Sequence, residues 1–228
     1  MTKALILASG GLDSSVLAYY VKKKMNKDIS LLFFDYGQKS LKEELFCMRN
    51  LAKKLEAELK VVNLRWLGEI STSLINKGKG GKEEIIKWYV PFRNSVFLTS
   101  ALAHAESDFI RKNIKQDVYI GIKYEGKISF NDTKPEFLKA INSLAKFSQK
   151  GKFRIIAPFI NKDKEDIIDM AKKLKVNLGE TYSCYLGAGF AKINGKKIPV
   201  HCGKCAGCKA RKKGFKFSEV DDESFYKD

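Results

Sequence analysis

The sequence is short of histidine and arginine and has no long apolar run, and each shortage excludes a class of protein. With two histidines among 228 residues, no Ser-His-Asp or Cys-His catalytic arrangement is evident. No apolar stretch approaches the roughly 20 residues of a membrane span, and the first residues lack a signal-peptide pattern. We therefore expect a cytoplasmic protein with no membrane partner, of a length that suits one α/β domain with at most a small appendage.

Arginine is scarce although the formal net charge is +17, because 37 lysines and only six arginines supply the positive charge. Arginine is the usual residue for dedicated recognition of phosphates and bases, and the lysines are scattered along the chain. We interpret the charge as a solvated surface that favours anionic small molecules such as ATP. Binding to tRNA stays an alternative, but no nucleic-acid partner is expected.

One motif carries the strongest signal for a ligand: Ala8-Ser9-Gly10-Gly11-Leu12-Asp13-Ser14-Ser15, directly after the apolar run 4–7. The apolar run, the paired glycines and the restart at residue 14 predict a strand, a tight loop and a helix. Glycines let backbone N–H groups approach a ligand, and the serine hydroxyls and the helix N-terminus add donors and positive charge. The motif predicts a phosphate-binding loop that is not of the Walker type, since G-x-x-x-x-G-K-[ST] is absent. A plain strand-to-helix turn with capping serines is the alternative.

Apolar strands alternate with helical segments along most of the chain, which predicts an α/β fold with a Rossmann-like parallel sheet flanked by helices. Ligands bind at the carboxyl ends of such strands, where residues 8–15 and Asp35 would meet. We expect an ATP-binding domain over residues 1–180 and a C-terminal segment, 181–228, packed on it. The predicted strands cover residues 4–7, 29–35, 59–64, 117–122 and 154–158, and the predicted helices cover 14–20, 41–58, 96–104, 135–147 and 164–174.

Two helix starts present polar side chains. Arg93 and Asn94 follow Pro91 at the start of a helix, where they could meet a carboxylate, a phosphate or a base. Lys164 opens another helix, for which Asp163 and Asp166 form a capping-box pattern. His104 is expected to be structural, and the glycine- and lysine-rich stretch 77–82 is expected to be a solvated loop.

Four of the five cysteines lie near the C-terminus, and Cys202, Cys205 and Cys208 are spaced by two residues each. With Cys184 as the fourth ligand, they predict a closed, structural zinc site. An iron–sulfur cluster or unmetallated thiols are the alternatives, since the ferredoxin spacing is incomplete. His201 is a reserve ligand. The remaining cysteine, Cys47, is expected to be a small core residue.

The loop motif resembles the PP-loop of the N-type ATP pyrophosphatases, and further strings make the resemblance more selective. With them the chain resembles, from the first strand to about residue 215, the 7-cyano-7-deazaguanine synthase family. In the segment 128–135 only Asp132 and Pro135 match that family's pattern. The matching strings are Ser9-Gly10-Gly11-Leu12-Asp13-Ser14, Phe34-Asp35-Tyr36-Gly37-Gln38, Val90-Pro91-Phe92-Arg93-Asn94, Pro135-Glu136-Phe137, Lys164-x-Asp166-Ile167-Ile168, Thr181-Tyr182-Ser183-Cys184-Tyr185 and Cys202-Gly203-x-Cys205-x-x-Cys208-x-x-Arg211.

The resemblance implies an adenine-nucleotide alpha-hydrolase-like fold, a homodimer, and an ATP-dependent ligase of queuosine and archaeosine precursor biosynthesis. Such an enzyme converts 7-carboxy-7-deazaguanine and ammonia to the 7-cyano compound through adenylated intermediates, with Mg²⁺ as cofactor and one structural Zn²⁺. Residues 8–15 and Asp35 would bind ATP, with Asp13 near magnesium. Four further residues would complete the site. Lys164 would neutralise charge on the phosphates, and Arg93 and Asn94 would orient the adenylate or the substrate carboxylate. Asp132 would accept N–H bonds from the guanine-like edge.

Two other functions fit the same residues. A PP-loop tRNA-modifying enzyme, which adenylates a base and inserts sulfur, would suit the positive charge and an iron–sulfur cluster. A nucleotide-binding module with a zinc ribbon and no catalysis would suit the loop and the cysteines alone.

Overall fold

A computed structural model of the chain describes residues 3–124, 126 and 130–227. Ile128 and Ser129, in the segment that departs from the family pattern, lie outside the described residues. Five strands form a parallel sheet of order β3-β2-β1-β4-β5, which confirms the predicted α/β fold. The strands are β1 (Lys3–Leu7), β2 (Ile29–Asp35), β3 (Glu58–Asn63), β4 (Gln116–Ile120) and β5 (Ile155–Ile156).

Helices cover both faces of the sheet, so the central strands are apolar on both sides. Alternate residues of β1 enter different cores: Ala4 and Ile6 pack in one apolar cluster, and Leu5 and Leu7 pack in the other. The helices are α1 (Leu12–Tyr19), α2 (Leu41–Lys54), α3 (Arg65–Glu69), α4 (Glu84–Lys87), α5 (Arg93–Lys112), α6 (Pro135–Leu144) and α7 (Lys164–Leu174), with a π-helical turn at Tyr20–Lys24 and 3₁₀ turns at Asn131–Thr133, Ala145–Phe147 and Leu178–Glu180.

Several predicted boundaries were wrong. The helix predicted over 41–58 ends at Lys54, because the chain turns through a left-handed residue, Glu56 (φ 48°), and enters β3 at Glu58. The helix predicted over 96–104 is the longer α5, which starts at Arg93 and ends where Asn113 (φ 53°) adopts the left-handed conformation. The predicted strand over 154–158 shortens to the two residues of β5.

The C-terminal part of the chain, residues 181–227, contains four elements that the sequence did not predict. The strands β6 (Phe190–Ile193) and β7 (Lys196–His201) form an antiparallel pair, and β8 (Phe225–Tyr226) adds to β7 in parallel. Between them, α8 (Ala206–Ser218) packs against α7. The division of the chain at residue 180 stays a prediction. No helix within the described part of the chain is long and apolar enough to cross a membrane.

Candidate active site

The strand order reverses between β1 and β4, and a crevice opens there at the carboxyl ends of the strands, as expected for a doubly wound sheet. A cavity of about 310 Å³ occupies this crevice. Its lining comes from the loop after β1, the ends of β2 and β4, the starts of α2, α5 and α7, and the C-terminal part. The polar and charged side chains that line it are Ser9, Asp13, Ser14, Tyr36, Gln38, Glu44, Arg93, Asn94, Lys164, Tyr182, Ser183, Tyr185 and Arg211.

The predicted phosphate-binding loop lies at one wall of this cavity. Gly10 has a positive φ of 74°, and a Cβ built on it would lie 2.7 Å from the backbone oxygen of Glu44, so the loop packs tightly on α2. The Ser14 hydroxyl lies 3.2 Å from the backbone nitrogen of Ser9 and 3.2 Å from the oxygen of Gly11. Of residues 8–15, all except Gly10 and Ser15 line the cavity. The loop therefore presents hydroxyls and N–H groups to a ligand.

Asp13 and Lys164 meet at the same wall of the cavity although 151 positions separate them in the sequence. The Lys164 ammonium lies 2.6 Å from each carboxylate oxygen of Asp13. Lys164 is presented by the N-terminus of α7, whose capping box is formed as predicted, with the Asp163 N–H donating to the Asp166 carboxylate. The side chain of Asp13 is 24% exposed and that of Lys164 is 16% exposed, so both remain accessible from the cavity.

Arg93 and Asn94 lie on the opposite wall, at the first turn of α5. A guanidinium nitrogen of Arg93 lies 3.4 Å from the Tyr36 hydroxyl, and the side chain also lines the cavity. Burial raises the pKa of Tyr36, and this effect is larger than the opposing effect of the nearby Arg93 charge. The resulting pKa is about 12. Tyr36 therefore remains a neutral hydroxyl at physiological pH, and the positive charge of Arg93, which interacts with the nearby carboxylates of Asp132 and Glu44, lies beside the cavity.

Besides Gly10 and Ser15 of the loop, two further predicted site residues, Asp35 and Asp132, do not line the cavity. The Asp35 carboxylate accepts the backbone N–H of Gly37 at 3.2 Å and pairs with Arg65 at 2.8 Å. The Asp132 carboxylate lies 3.4 Å from the backbone nitrogen of Asn94, and the Asn94 amide donates to the Asp132 backbone oxygen at 3.1 Å. Both aspartates thus hold neighbouring site residues in place.

Glu44 is a cavity residue that the sequence analysis missed. Its carboxylate accepts hydrogen bonds from Ser40 at 2.6 Å and Gln38 at 2.9 Å. Burial raises the pKa of Glu44, and these hydrogen bonds oppose the shift only in part. Its position in the first turn after the β2 loop, at the sheet edge that carries the phosphate-binding loop, is the signal that could have identified it.

Arg211 and Ser183 reach the cavity from the C-terminal part, and the sequence analysis gave neither a role. Both occur in the strings that match the family, which was the available signal. Arg211 is 1% exposed and forms an ion pair with Asp222 at 3.0 Å. Burial alone would raise the pKa of Asp222, but the Arg211 hydrogen bonds and charge, together with the Tyr226 hydroxyl, lower it below its usual value.

The four predicted metal ligands come together behind the cavity wall, and their sulfur atoms lie within 4.8 Å of one another. The Cys205 sulfur lies 3.5 Å from Cys208 and 4.0 Å from Cys184, and Cys202 lies 3.9 Å from Cys208. Hydrogen bonds from the Cys205 and Cys208 thiols lower the pKa of Cys184, with a smaller contribution from the Cys202 N–H. Such a group of thiols could hold a metal ion. Cys47, by contrast, is buried in the core as predicted, with 2% of its surface exposed.

His201 is fully buried beside this cluster but is not part of it. Its Nε2 accepts the backbone N–H of Ser183 at 3.0 Å, and its ring packs between Tyr182 and Tyr226. Burial, together with the Arg211 charge, lowers the pKa of His201 to about 4. The imidazole is therefore a neutral hydrogen-bond acceptor that fixes the backbone of Ser183.

Known proteins similar to this chain include a protein family, curated relatives and a solved structure. Residues 3–219 match the family described as "Queuosine biosynthesis protein QueC". Relatives named 7-cyano-7-deazaguanine synthase, from Methanosphaera stadtmanae and Nitratiruptor sp., are each 33% identical, with 98% of both chains covered for the first and 99% for the second. A solved "predicted subunit of tRNA methyltransferase" from Methanocaldococcus jannaschii is 16% identical over 100% of this chain and 93% of that chain. Its TM-score of 0.50 shows the fold alone.

Proposed function

The chain belongs to the QueC family of queuosine biosynthesis proteins, and from this we propose that it catalyses the synthesis of 7-cyano-7-deazaguanine. The substrates would be 7-carboxy-7-deazaguanine, ammonia and ATP. The observation that carries the proposal is the match to 7-cyano-7-deazaguanine synthases over nearly the whole of both chains. The cavity supports it, since the loop after β1, Lys164 and Arg93 line one space of about 310 Å³.

The chemical problem is that a carboxylate oxygen leaves poorly at neutral pH. Transfer of the adenylyl group from ATP to the carboxylate, with release of pyrophosphate, gives a mixed anhydride. Ammonia attacks its carbonyl carbon and gives the amide with release of AMP. A second activation of the amide oxygen, followed by loss of AMP, leaves the nitrile. The protein would contribute mainly by positioning the reactants and by stabilising charge on the transferring phosphorus centre.

We assign phosphate binding to the loop of residues 8–15 and to Lys164. The loop offers hydroxyls and N–H groups, and the Lys164 ammonium supplies positive charge at the same wall. Asp13 is the proposed magnesium ligand, because its carboxylate lies in the cavity and magnesium prefers oxygen ligands. The ion would neutralise phosphate charge. Asp35 would act on ATP indirectly, by holding the turn at Gly37.

We assign substrate recognition to the wall formed by α5 and α2. Arg93 would pair with the substrate carboxylate or the adenylate, and Asn94 would orient it, as both line the cavity. Asp132 would act through Asn94, because its contacts hold the start of α5. Glu44 lines the cavity and offers carboxylate oxygens to the N–H groups of a guanine-like edge.

For the cysteine cluster we propose one structural zinc ion. A tetrahedral ion with zinc–sulfur bonds of about 2.3 Å places its sulfur ligands about 3.8 Å apart. The separations of 3.5, 3.9 and 4.0 Å among the cysteine sulfurs fit this value. An iron–sulfur cubane binds each cysteine through a different iron atom, so its cysteine sulfurs must lie farther apart. Bound zinc would fix the C-terminal part against the cavity.

A homodimer is also proposed. The edge strand β3 and the adjacent α3 expose apolar side chains, with Val61 52%, Trp66 48% and Ile70 63% exposed, which suits a subunit contact. Light scattering of the purified protein tests the mass of the particle. The proposed location is the cytoplasm, as the sequence predicts.

The direct test of the function is mass spectrometry of a reaction that contains 7-carboxy-7-deazaguanine, ammonium and magnesium-ATP. We expect the nitrile mass together with AMP and pyrophosphate. Protein that binds ATP but forms no nitrile would contradict the proposal. Tight binding of tRNA by a brown, oxygen-sensitive protein would favour the sulfur-inserting alternative. Binding of ATP with no pyrophosphate release under any substrate would favour a module without catalysis.

Arg93 offers a test of the site assignment. Removal of its guanidinium by Arg93→Ala should lower kcat/KM for the carboxylate substrate about a hundredfold or more, because no other cation on that wall replaces the charge. The matched control is Arg111→Ala, an exposed arginine in the last turn of the same helix. Turnover by Arg93→Ala equal to that of the control would reject the assignment.

A further inference from the structure

We propose that Ser183 donates a hydrogen bond to a phosphate oxygen of the bound nucleotide, and that Arg211 and Asp222 position it. The inference rests on the proposed use of ATP. It assigns to the C-terminal part a second role besides holding a metal ion, since this part would complete the phosphate site that the loop after β1 begins.

Ser183 lies beside the phosphate-binding loop. The backbone N–H of Tyr182 donates to the Gly10 oxygen at 2.8 Å, and a Cβ built on Gly11 would lie 3.3 Å from the Tyr182 oxygen. On the other side, a Cβ built on Gly207 would lie 2.1 Å from the Ser183 oxygen. Ser183 is therefore held between the loop and the first turn of α8, and it lines the cavity at that point.

Arg211 also lines the cavity, but its donors are already used. Its Nε donates to Asp222 at 3.0 Å, and its Nη2 donates to Asp222 at 3.0 Å and to the Leu178 oxygen at 2.8 Å. Its Nη1 donates to the Thr181 hydroxyl at 2.8 Å and to the Ser183 hydroxyl at 3.2 Å. A guanidinium has five N–H donors, and these five bonds engage all of them. Arg211 is thus a positioning residue and not a ligand contact.

The hydrogen bond from Arg211 fixes the direction in which Ser183 can donate. The Ser183 oxygen accepts a hydrogen bond from the Arg211 guanidinium, so its own hydroxyl hydrogen must point elsewhere. No acceptor for that proton is found among the described residues, and the side chain faces the cavity. Accepting from a guanidinium polarises the hydroxyl and strengthens it as a donor. An anionic oxygen is the acceptor that gains most from this, and Ser9, Ser14 and Lys164 make the same wall suited to phosphate.

Asp222 is in turn held by the last residues of the chain. The Tyr226 hydroxyl donates to its carboxylate at 2.5 Å, and the Ser224 N–H donates to it at 3.1 Å. The orientation of Ser183 therefore depends on a chain of contacts that begins at β8 and ends at the cavity.

The first experiment compares Ser183→Ala, Ser183→Thr and the wild-type protein by calorimetric titration with magnesium-ATP. We expect Ser183→Ala to raise the Kd for ATP about tenfold, as for loss of a hydrogen bond to a charged group. Ser183→Thr keeps the hydroxyl and should recover most of the affinity. The matched control is Ser218→Ala, a serine of the same segment whose hydroxyl donates to the Phe215 oxygen away from the cavity. Metal content should be unchanged in all three variants, and each should remain folded at the temperature of the titration, as thermal unfolding can show.

The second experiment tests the positioning role of Asp222. Asp222→Asn should weaken ATP binding, and the double variant Ser183→Ala with Asp222→Asn should bind ATP no more weakly than Ser183→Ala alone. Such non-additivity is expected only if Asp222 acts on the ligand through Ser183. Additive losses would overturn the positioning role.

An unchanged Kd for Ser183→Ala would overturn the inference even if the wild-type protein makes the nitrile. The reverse outcome is equally distinct: a wild-type protein that forms no nitrile, yet loses ATP affinity in Ser183→Ala and not in Ser183→Thr, would reject the proposed reaction and support the phosphate contact.

Discussion

At the scale of single residues, two ion pairs lie in different surroundings: Asp13–Lys164 lines the cavity, and Arg211–Asp222 extends from the cavity wall into the C-terminal part. Asp13 and Lys164 are 24% and 16% exposed, whereas Asp222 and Arg211 are 12% and 1% exposed. A partly solvated pair contributes little to stability and can separate to meet a ligand. A buried pair is costly to break, because the remaining charge is left without a partner or water. The first pair is therefore suited to ligand binding, and the second to holding structure.

Asp222→Asn should lower the free energy of unfolding at pH 7 by about 3 kcal/mol, because it leaves the Arg211 charge buried without a counter-ion. The pKa of Asp222 is lowered in the folded protein, so its stabilising effect is present above the usual aspartate pKa of about 3.9. It is lost as the pH falls through the folded-state pKa. Urea unfolding from pH 7 downward should therefore show the gap between wild type and variant narrowing below about pH 4.

The adjacent Asp221 provides the control for this prediction. Asp221 is exposed, so Asp221→Asn should change the free energy of unfolding by less than about 0.5 kcal/mol. If Asp222→Asn unfolds at the same urea concentration as Asp221→Asn, the buried pair does not contribute as the contacts indicate.

The sequence identified those cavity residues whose location follows from their residue type and their position in a loop or helix start. It failed for residues whose role depends on the direction in which the side chain points. Ser9, Asp13 and Lys164 reach the cavity because each lies in a loop or helix start at the carboxyl edge of the sheet. Asp35 has the same location, but its carboxylate turns to Gly37 and Arg65. The bond to Gly37 is a local turn, but the pairing with Arg65 joins the end of β2 to the start of α3, and no local pattern encodes it.

At the scale of elements, the sheet and its first helices could be predicted because apolar runs and caps are local signals. The capping box of α7 and the proline at the start of α6 mark those helices correctly. The strands β6, β7 and β8 were missed, because the short strand β6 and the lysine-rich β7 give a weak signal and β8 pairs with a strand more than 20 positions away. Their pairing depends on tertiary contacts and not on local propensity.

Gly10 tests the packing of the proposed phosphate-binding loop, residues 8–15, on α2. Gly10→Ala places a side chain on a residue with a φ of 74° and puts a Cβ 2.7 Å from the Glu44 backbone oxygen. Backbone strain and the displacement of α2 should together cost about 2 kcal/mol or more of unfolding free energy. The Kd for magnesium-ATP should also rise, because the loop and Glu44 shift together. Thermal unfolding and calorimetric titration measure the two effects.

Gly195→Ala separates strain from steric contact. Gly195 has a φ of 76°, but no atom lies within 4 Å of the added Cβ. The free energy of unfolding of this variant should fall by only about 1 kcal/mol, the cost of a left-handed alanine, and its affinity for ATP should be unchanged. Equal losses in the two variants would mean that the contact between the loop and α2 has no energetic role.

At the scale of the whole molecule, the C-terminal part closes the cavity and is tied to the sheet at separate places. The Tyr182 N–H donates to Gly10, and the Gly189 N–H donates to the Glu43 carboxylate at 2.8 Å. The helix α8 packs on α7, where a Cβ on Gly214 would meet the stem of Lys164 at 2.2 Å. The cavity wall thus depends on how firmly residues 181–227 are held, and the cysteine cluster brings residue 184 together with residues 202–208.

Removal of the proposed zinc ion should loosen residues 181–227 while the sheet persists. A structural zinc site supplies folding free energy to the chain around it, so chelation should make residues 181–227 the first to be cleaved by protease or to exchange amide hydrogens. The affinity for magnesium-ATP should fall as well, because Ser183 and Arg211 would no longer face the loop.

Metal analysis of the untreated protein should give about one zinc per chain in a colourless solution. Cys47→Ala is the control, because this buried cysteine lies outside the four-sulfur group and its loss should leave the metal bound. A metal-free protein with the cleavage pattern and ATP affinity of the untreated one would show that hydrogen bonds and helix packing alone hold the C-terminal part in place.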